Sequence, residues 1–393
     1  MSNNFDYKVL GYISKAEVES VMYQRKGLLP AGDVQKKIFD TWRLTDEFRR
    51  SYGEYLFSDD PNRESIRTAV DLIKRYKHLD SVDVETYRDL IIDILYSKYI
   101  LGFKIAEYFL YDFEHTPIRD RIEFLTENQR DYYYSKLNDS KKQNHILDNK
   151  FLAYQTLMPY YGRDVISISA SDFETFSAFA KKHPRFILKP VSDNSGHGVS
   201  WVECDKKTNL RQLFHSLVEN NQKFICEEPV IAPEYMKKMY PHAINTIRIV
   251  TYYNGTDEPV VVAALMRVGQ GGACVDNFSA GGIIAELDTN TGVITSDGVT
   301  KTNYRYEAHP DTGVTFRGFQ VEHWDELLTL AKKLPYLLPE VRLIGWDMAA
   351  SADQGWQIIE GNAHPWLEMH QFCRPHGFKR QVAQVTEWKK HGI

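Results

Sequence analysis

The stretch from Leu343 to Gln371 carries three oxygen-bearing side chains whose spacing could hold a metal ion, Asp347, Glu360 and Asn362. Side chains alternate between the two faces of a strand, so Glu360 and Asn362 point the same way if this stretch is extended. Carboxylate and amide oxygens, with no cysteine and no obligatory histidine, suit a hard cation such as Mg²⁺ better than zinc. The alternative is a hairpin whose polar ends simply face water, but the density of the pattern GW-D-x-A … I-I-E-x-N favours the metal site.

A hairpin would bring these acids together. Two short apolar runs, Leu343–Trp346 and Trp356–Ile359, are predicted strands, and the polar segment Ser351–Gly355 between them is a turn signal. On this interpretation Asp347 ends the first strand and Glu360 ends the second.

A lysine followed by a loop of small residues is a second candidate for chemistry. Lys189 ends the predicted strand Phe186–Leu188 and precedes Pro190 and the loop Ser192–Gly198. Such a loop can donate backbone N–H groups to phosphates, and a lysine beside it adds a compact positive charge. Surface hairpins often carry the same residues, so the motif alone does not decide. The sequence has no Gly-Lys dipeptide, which excludes a Walker phosphate loop, and no GxGxxG follows a predicted strand.

Two further regions place charged residues on predicted strands. Glu227 and Glu228 end an apolar strand before Pro229, where they could face the base and ribose of a nucleotide or simply end the strand in water. Arg248 lies among apolar residues of one strand, and Arg267 lies near the end of the next. An arginine in such a strand is either an ion-paired structural residue or an anion clamp. The arginines alone leave both possibilities open.

The elements that position these residues predict a mixed α+β protein with a helical N-terminal region. Helical periodicity dominates residues 1–145, strands and helices alternate over 146–240, and strands predominate in 241–393, which gives three expected regions. Asp148 is the expected N-cap of a helix that starts near Phe151. The N-terminal helices are predicted at Ala16–Arg25, Val34–Tyr52, Arg63–Lys77, Val84–Phe113 and Ile118–Lys136. Other strands are predicted at Val165–Ile168, Val199–Val202, Phe224–Glu227, Thr246–Tyr253, Val260–Val268 and Gly282–Leu287, and other helices at Asp172–Lys182, Leu210–Asn220 and Trp324–Leu334.

Bulk composition restricts the class of protein. The 393 residues are 43% hydrophobic and 26% charged with a net charge of −5, which gives no general attraction to nucleic acid or anionic membranes. No apolar run approaches the ~18–20 residues of a membrane span. The N-terminus lacks the basic and apolar regions of a signal peptide, and the four cysteines form no CxxC pair, so we expect a cytoplasmic protein. The spacing of His364, His370 and His376 fits no zinc pattern.

Taken in order, the lysines, the small-residue loop, the acids before proline, the strand arginine and the acidic hairpin resemble the ATP-grasp superfamily. They resemble more narrowly its sugar-transfer-associated branch. The resemblance covers about residues 145–375. It also rests on Asp148-Asn149-Lys150, Asn245-Thr246-x-Arg248 and Asn277-Phe278-Ser279-x-Gly281-Gly282.

The resemblance implies an ATP-grasp fold, in which two α+β lobes grip ATP, and it assigns roles to individual residues. Mg²⁺ would be held by Asp347, Glu360 and Asn362, and Arg248 and Arg267 would serve the phosphate or the acceptor as catalytic residues. The loop Ser192–Gly198 would be the phosphate lid, although it has fewer glycines than many. The implied nucleotide-binding residues are Lys150, Lys189, Ser192, Ser195, Gly196, His197, Gly198, Glu227, Glu228 and Val230.

The same resemblance implies an ADP-forming ligase, in which ATP phosphorylates a carboxylate and an amine attacks the acyl phosphate. A kinase that phosphorylates a hydroxyl needs the same nucleotide site, so it stays open as an alternative. A non-catalytic nucleotide-binding module is a third hypothesis, which the complete set of acids and lysines disfavours. The expected partners are a small carboxylate and an amine or sugar, and the name of the branch suggests polysaccharide biosynthesis.

Overall fold

The computed structural model describes residues 43–138, 141–192, 198–220 and 223–388, with the backbone alone for 141 and 142. These residues form two compact units, one of residues 43–108 with 113–122 and one of residues 109–112 with 123–388. The boundary between the two units thus lies near residue 122, whereas the predicted change from helices alone to alternating strands and helices lies near residue 145. The predicted helix Ala16–Arg25 and the first part of Val34–Tyr52 lie outside the described residues.

The first unit is helical, as predicted, but one long predicted helix is broken. The segment Val84–Phe113 forms two α-helices separated by a π-helical turn, Ser97–Leu101. Gly102 follows that turn with φ of 84°, a left-handed conformation that glycine adopts without steric cost and that ends the helix. The helices that begin in this unit are α1 (Asp46–Ser58), α2 (Arg63–Tyr76), α3 (Arg88–Tyr96), α4 (Ile105–Leu110) and α5 (Ile118–Arg121).

The second unit begins with a helix that the sequence predicted as part of Ile118–Lys136. A capping box at Thr126 starts this helix anew, because the Thr126 hydroxyl accepts from the N–H of Gln129 while the Gln129 side chain accepts from the N–H of Thr126. In the described part of the chain no helix combines the length and the apolarity needed to cross a membrane. The helices of this unit are α6 (Glu127–Leu137), α7 (Lys141–Asp148), α8 (Lys150–Leu157), α9 (Phe173–Lys182), α10 (Leu210–Val218), α11 (Glu234–Met239), α12 (Trp324–Lys333), α13 (Met369–Phe372) and α14 (Lys379–Val385).

Asn149, not Asp148, caps α8. Asn149 has an extended backbone, and its side-chain oxygen accepts a hydrogen bond from the N–H of Phe151 at 3.1 Å. Asp148 is the last residue of α7, so the predicted cap is wrong by one residue. The cap fixes Lys150 in the first turn of α8, where its N–H donates to the carbonyl of Val191 at 3.0 Å.

A four-stranded antiparallel sheet holds the predicted lysine and its neighbours. The strands lie in the order β1–β4–β2–β3, and α9 and α10 bury Phe176 and Phe214 against them. Glu227 pairs with Ile187, so Lys189 is its diagonal neighbour on the same face of the sheet. The strands are β1 (Val165–Ser167), β2 (Arg185–Pro190), β3 (Ser200–Glu203) and β4 (Phe224–Glu227).

A seven-stranded antiparallel sheet holds the arginines and the acidic hairpin. Its strand order is β11–β10–β5–β6–β7–β8–β9. Helix α12 packs on it through Leu327 and Ala331, in one apolar cluster with Ile249 and Met348. The strands are β5 (Ile247–Tyr252), β6 (Val260–Val268), β7 (Ile283–Leu287), β8 (Gly298–Thr300), β9 (Arg305–Tyr306), β10 (Leu343–Ser351) and β11 (Gly355–Asn362).

The acidic hairpin is longer than predicted. Both strands continue past the acids, so the prediction that Asp347 and Glu360 end their strands is wrong. The two acids are instead directly opposite each other, and Gly345 is opposite Asn362. A β-bulge adjoins the pair, where the register shifts by one residue between Asp347 and Met348.

Candidate active site

Asp347 lies between two arginines of the same sheet. Arg248, directly opposite on β5, donates through Nε to Oδ1 and through Nη2 to Oδ2, the latter at 2.9 Å. Arg267 on β6 donates through Nη1 to Oδ2 at 2.6 Å. Burial favours the neutral acid, but the two guanidinium groups outweigh it and lower the pKa of Asp347 to about 2. Asp347 is therefore ionised throughout the physiological range.

Arg267 is fixed from its other side by Asp276, which the sequence analysis did not single out. Its Nη2 donates to Oδ1 of Asp276 at 3.2 Å. The second oxygen of Asp276 accepts from the N–H and the hydroxyl of Thr246 at 2.8 and 2.5 Å. Asp276 directly precedes the 277–282 motif, and that adjacency is the signal that could have identified it.

Glu360 faces Asp347 but has a different environment. Among the described residues, none forms a hydrogen bond or an ion pair with its carboxylate. Burial raises the pKa of Glu360, the charge of Lys150 opposes this rise, and the negative charge of Asp347 adds to it. Two carboxylates directly opposite each other on paired strands repel, so a cation between them would be strongly favoured.

The oxygen atoms of Asp347, Glu360 and Asn362 are suitable ligands for a hard divalent cation. Asn362 donates through Nδ2 to the carbonyl of Gly345 at 3.5 Å, and no described residue donates to its Oδ1. A carboxylate has about four acceptor positions, of which the arginines use three on Asp347, so one remains. Together with Glu360 these oxygens make a site without thiolate or imidazole, which suits Mg²⁺. The assignment of Mg²⁺ to these three residues stays a prediction.

Lys189 is held in place by Glu227. Its Nζ donates to Oε2 of Glu227 at 2.6 Å, and Arg163 contacts the same oxygen at 3.3 Å. Burial favours the neutral form of Glu227, but the two cations prevail and lower its pKa. Glu227 is thus an ion-pair partner of Lys189, a role that the sequence did not predict, and its assignment to the nucleotide stays a prediction.

Arg163 connects the two sheets and was not identified from the sequence. Its Nη1 donates to the carbonyl of Ile358 on β11 at 2.6 Å and to that of Tyr161 at 3.2 Å, while its Nη2 contacts Glu227 on β4. Arg163 follows Gly162 in the short turn before β1, and an isolated arginine in such a turn carries no recognisable pattern.

A cavity of about 570 Å³ has walls from both sheets. Lys189 and Glu227 contribute from the smaller sheet, and Asp347 and Glu360 contribute from the larger one. This volume is within the roughly 300–1,000 Å³ that is typical of small-molecule sites. Other predicted site residues in the lining are Lys150, Glu228, Val230 and Arg267.

The segment after β4 is anchored to the turn before β1. The N–H of Glu228 donates to the carbonyl of Asp164 at 2.9 Å, and the N–H of Asp164 donates to Oε2 of Glu228 at 3.0 Å. This reciprocal pair fixes the backbone as it leads to Val230 on the cavity wall.

The predicted phosphate lid is described only at its two ends. Ser192 is exposed where the loop begins, and Gly198 ends it with φ of 75°. Neither belongs to the described lining of the cavity. Ser195, Gly196 and His197 lie outside the described residues.

A smaller cavity of about 290 Å³ adjoins the acidic pair. Arg248, Asn362 and His364 line it, and Asp347 and Glu360 line both cavities. The acidic pair is therefore a common wall, with the lysines on one side and Arg248 on the other.

Comparison with solved structures gives distant matches. The ATP-grasp ligase PsnB complexed with a minimal precursor is 12% identical with a TM-score of 0.40, and the match covers 64% of this chain and 64% of that chain. A D-alanine–D-alanine ligase from Bacillus anthracis complexed with ATP is 12% identical with a TM-score of 0.38, covering 63% and 68%. An ADP complex of N5-carboxyaminoimidazole ribonucleotide synthetase is 11% identical with a TM-score of 0.36, covering 62% and 52%. The chain thus spans less than two thirds of the first and third of these proteins, and no curated protein sequence matches it.

A family match covers the whole candidate site. Residues 128–387 match the family described as sugar-transfer associated ATP-grasp. That range is more than half of the chain, and it includes both lysines, both arginines and the acidic hairpin. The chain belongs to the sugar-transfer associated ATP-grasp family and has the ATP-grasp fold.

Proposed function

We propose that this protein is an ADP-forming ligase, which uses Mg-ATP to activate a carboxylate as an acyl phosphate and then joins it to an amine or another nucleophile. Family membership supports ATP-dependent ligase chemistry in general terms. One observation carries the proposal further: Asp347 and Glu360 form a common wall between a cavity lined by lysines and a cavity lined by Arg248. A nucleotide and an acid bound in the two cavities would meet at that wall.

The larger cavity is assigned to the nucleotide. Lys150 and Lys189 supply positive charge for the polyphosphate, and the ion pair with Glu227 fixes Lys189 before ATP binds. Mg²⁺ held by Asp347, Glu360 and Asn362 would neutralise charge on the phosphates during the transfer.

The smaller cavity is assigned to the acid. Nε and Nη2 of Arg248 are bound to Asp347, and no described residue accepts a hydrogen bond from Nη1. A carboxylate is a natural partner for that N–H group, because charge-assisted hydrogen bonds to guanidinium groups are strong and directional. Held there, the acid would be oriented towards the acidic pair and the phosphoryl group beyond it.

The reaction proceeds in two displacements. First, a carboxylate oxygen attacks the γ-phosphorus, the bond from that phosphorus to the β,γ-bridging oxygen breaks, and ADP leaves. Second, the amine attacks the acyl carbon, the bond from that carbon to the phosphate oxygen breaks, inorganic phosphate leaves and the nitrogen releases a proton to solvent. Neither step requires a covalent bond to the protein.

Hydroxylamine trapping tests this proposal. The full chain is incubated with ATP, Mg²⁺, hydroxylamine and a panel of sugar acids and amino acids, and ADP and hydroxamate are measured together. We expect ADP and a hydroxamate in equal amounts with the right acid, and neither product from a Glu360→Gln control. ADP with a stable phosphorylated alcohol and no hydroxamate would instead identify a kinase, and AMP with pyrophosphate would contradict both reactions.

We propose a cytoplasmic setting in carbohydrate or surface-polysaccharide metabolism, with a small carboxylate and an amine or sugar as partners. The support is the description of the family together with the composition of the chain. Cell fractionation combined with sugar analysis of a strain that lacks the protein tests this setting, and an unchanged polysaccharide profile would contradict it.

A further inference from the structure

The smaller cavity combines a charged group and an aromatic ring that both lack protein partners. Arg248 is only 8% exposed, yet its Nη1 has no acceptor among the described residues. Trp366 is 41% exposed, and no described residue stacks on its indole or accepts from its Nε1. Nη1 is not among the buried unpartnered atoms of the described residues, so it is open to the cavity while Nε and Nη2 are held by Asp347. Both Nη1 and the face of the indole can therefore contact a ligand in this cavity.

Arg248 favours an anionic ligand of a particular shape. Its contacts with Asp347 fix the plane of the guanidinium, so the position of Nη1 is defined before any ligand binds. Arg267 lines the same cavity, but its charge is engaged by Asp347 and Asp276. A carboxylate suits the remaining Nη1 of Arg248 better than a neutral group, because a charge-assisted hydrogen bond is the stronger one.

Trp366 favours a ligand with a ring. The face of an indole carries partial negative charge and attracts the positively polarised C–H groups on the face of a saturated ring. A short linear acid would leave most of that face uncovered. The cavity of about 290 Å³ is near the lower limit of small-molecule sites, about 300 Å³, so it suits one ring rather than a long chain.

Polar side chains around the cavity favour hydroxyl groups on that ring. Four of them line the cavity without a hydrogen-bond partner for the side chain among the described residues: Asp148, Asn277, Ser279 and His364. An aromatic acid would cover Trp366 but would leave these donors and acceptors unused. A polyhydroxylated ring satisfies both requirements.

We propose that the acid bound in this cavity is a polyhydroxylated ring acid of monosaccharide size, with its carboxylate on Arg248 and one face of its ring on Trp366. This rests on the proposed function, which assigns the cavity to the acid substrate. It adds the chemical class of that substrate and names Trp366 as a residue that determines specificity.

Ligand-observed NMR tests the inference without turnover. Saturation transfer from the full chain, in the absence of nucleotide, is measured with D-glucuronate as the probe. D-glucose lacks the carboxylate, benzoate lacks the hydroxyls, and propionate lacks both the ring and the hydroxyls, so the three comparators together separate the proposed features. We expect D-glucuronate to bind about tenfold more tightly than any comparator, and Trp366→Ala to weaken it about tenfold.

Two further variants make the test specific to the ring contact. Trp366→Phe keeps an aromatic face and should retain most of the affinity. Trp201 is 42% exposed and lines the larger cavity instead, so Trp201→Ala should leave the affinity for D-glucuronate unchanged. Equal affinities for propionate and D-glucuronate, tighter binding of benzoate, no binding of D-glucuronate, or unchanged affinity in Trp366→Ala would each overturn the inference.

The outcome is separable from that of the proposed function. Binding of D-glucuronate that depends on Trp366, with no hydroxamate from any acid, would remove the ligase proposal and retain the ring-acid site. Hydroxamate formed from linear amino acids alone would retain the ligase and overturn the ring-acid site.

Discussion

The two carboxylates that face each other on the acidic hairpin have opposite electrostatic surroundings. On the β10 side, Asp347 accepts three hydrogen bonds from Arg248 and Arg267, and its pKa falls to about 2. On the β11 side, Glu360 has no such partner among the described residues, and burial raises its pKa. Two acids at paired positions of one hairpin can therefore differ in hydrogen bonding and in pKa. The protein neutralises Asp347 itself, whereas no described residue pairs with Glu360, which is the predicted ligand of a bound cation.

The largest expected effect is that of Asp347→Asn. This change leaves Arg248 buried without its anion and leaves Arg267 with Asp276 alone, so the free energy of unfolding should fall by about 3 kcal/mol, and ADP formation should cease. Urea denaturation and an ADP assay measure the two losses. Asp353→Asn, in the exposed turn of the same hairpin, is the matched control and should change stability by less than about 0.5 kcal/mol. If both variants are equally stable, the arginine clamp does not support the fold.

Gly345→Ala perturbs the surroundings of Asp347 by a steric change and leaves all charges in place. A Cβ at Gly345 would lie 2.6 Å from Cβ of Pro365 and 3.1 Å from Cδ of Arg248. Relieving this overlap must shift Pro365 and also crowds Arg248, and overpacking of this kind costs about 2 kcal/mol. Thermal unfolding should show a clearly lower Tm. An unchanged Tm would mean that the arginine has room to move without loss.

Lys189→Met extends the contrast to the lysine side of the site. Lys189 is ion-paired to Glu227, so a purely structural role would leave the KM for ATP unchanged. We expect the KM for ATP to rise about tenfold, because a charge-assisted contact contributes roughly 1.5–3 kcal/mol. Lys206→Met and Lys207→Met remove exposed lysines and should have no effect on the KM. Identical behaviour of all three variants would remove the phosphate-binding role.

Glu360→Gln should have a small effect on stability, and of opposite sign to Asp347→Asn. Replacing this unpaired, half-buried carboxylate by an amide should raise the free energy of unfolding at pH 7 by about 1 kcal/mol. Turnover should nevertheless cease, because the predicted metal ligand is lost. Thermal shifts measured with and without Mg-ATP check both points. A destabilised variant would show that Glu360 has a partner within the protein.

Acid titration tests the same contrast, because the two acids should make the free energy of unfolding change with pH in opposite directions. The stability from Asp347 is present above its ordinary pKa of 3.8 and is lost as the pH falls towards about 2. For Glu360 the raised pKa stabilises the fold below its ordinary value of 4.5, and that stability is lost as the pH rises through the folded pKa. When the free energy of unfolding is measured from pH 2 to 8, Glu360→Gln should retain the pH dependence that comes from Asp347 and lose the one that comes from Glu360. If the loss of stability with rising pH survives the substitution, it comes from a group other than Glu360.

Local pattern was enough to predict the strands that are apolar runs with clear ends. Phe224–Glu227 and Val260–Val268 have the predicted bounds, because turn residues flank them on both sides. The hairpin was predicted, but its length was not, because Ala349 and Ala350 continue β10 without a strong strand preference.

Pairing between distant residues could not be predicted in this way. The register that sets Arg248 opposite Asp347 depends on how β5 packs against β10, and no local pattern encodes it. Arg163 and Asp276 were missed for the same reason, since their partners lie far away in the sequence. The helix cap was misplaced because Asp148 and Asn149 are adjacent and equally capable, and only the backbone conformation distinguishes them.

The β-bulge beside the acidic pair affects how this hairpin can vary during evolution. Ile359 is the extra residue, because Ile358 pairs with Met348 and Glu360 pairs with Asp347. Its deletion would restore a regular ladder and would still leave Glu360 opposite Asp347. The number of residues between the two acids can therefore change by one without separating them. Alignments of distant sequences should match these acids by their pairing across the hairpin and should allow a gap at Ile359.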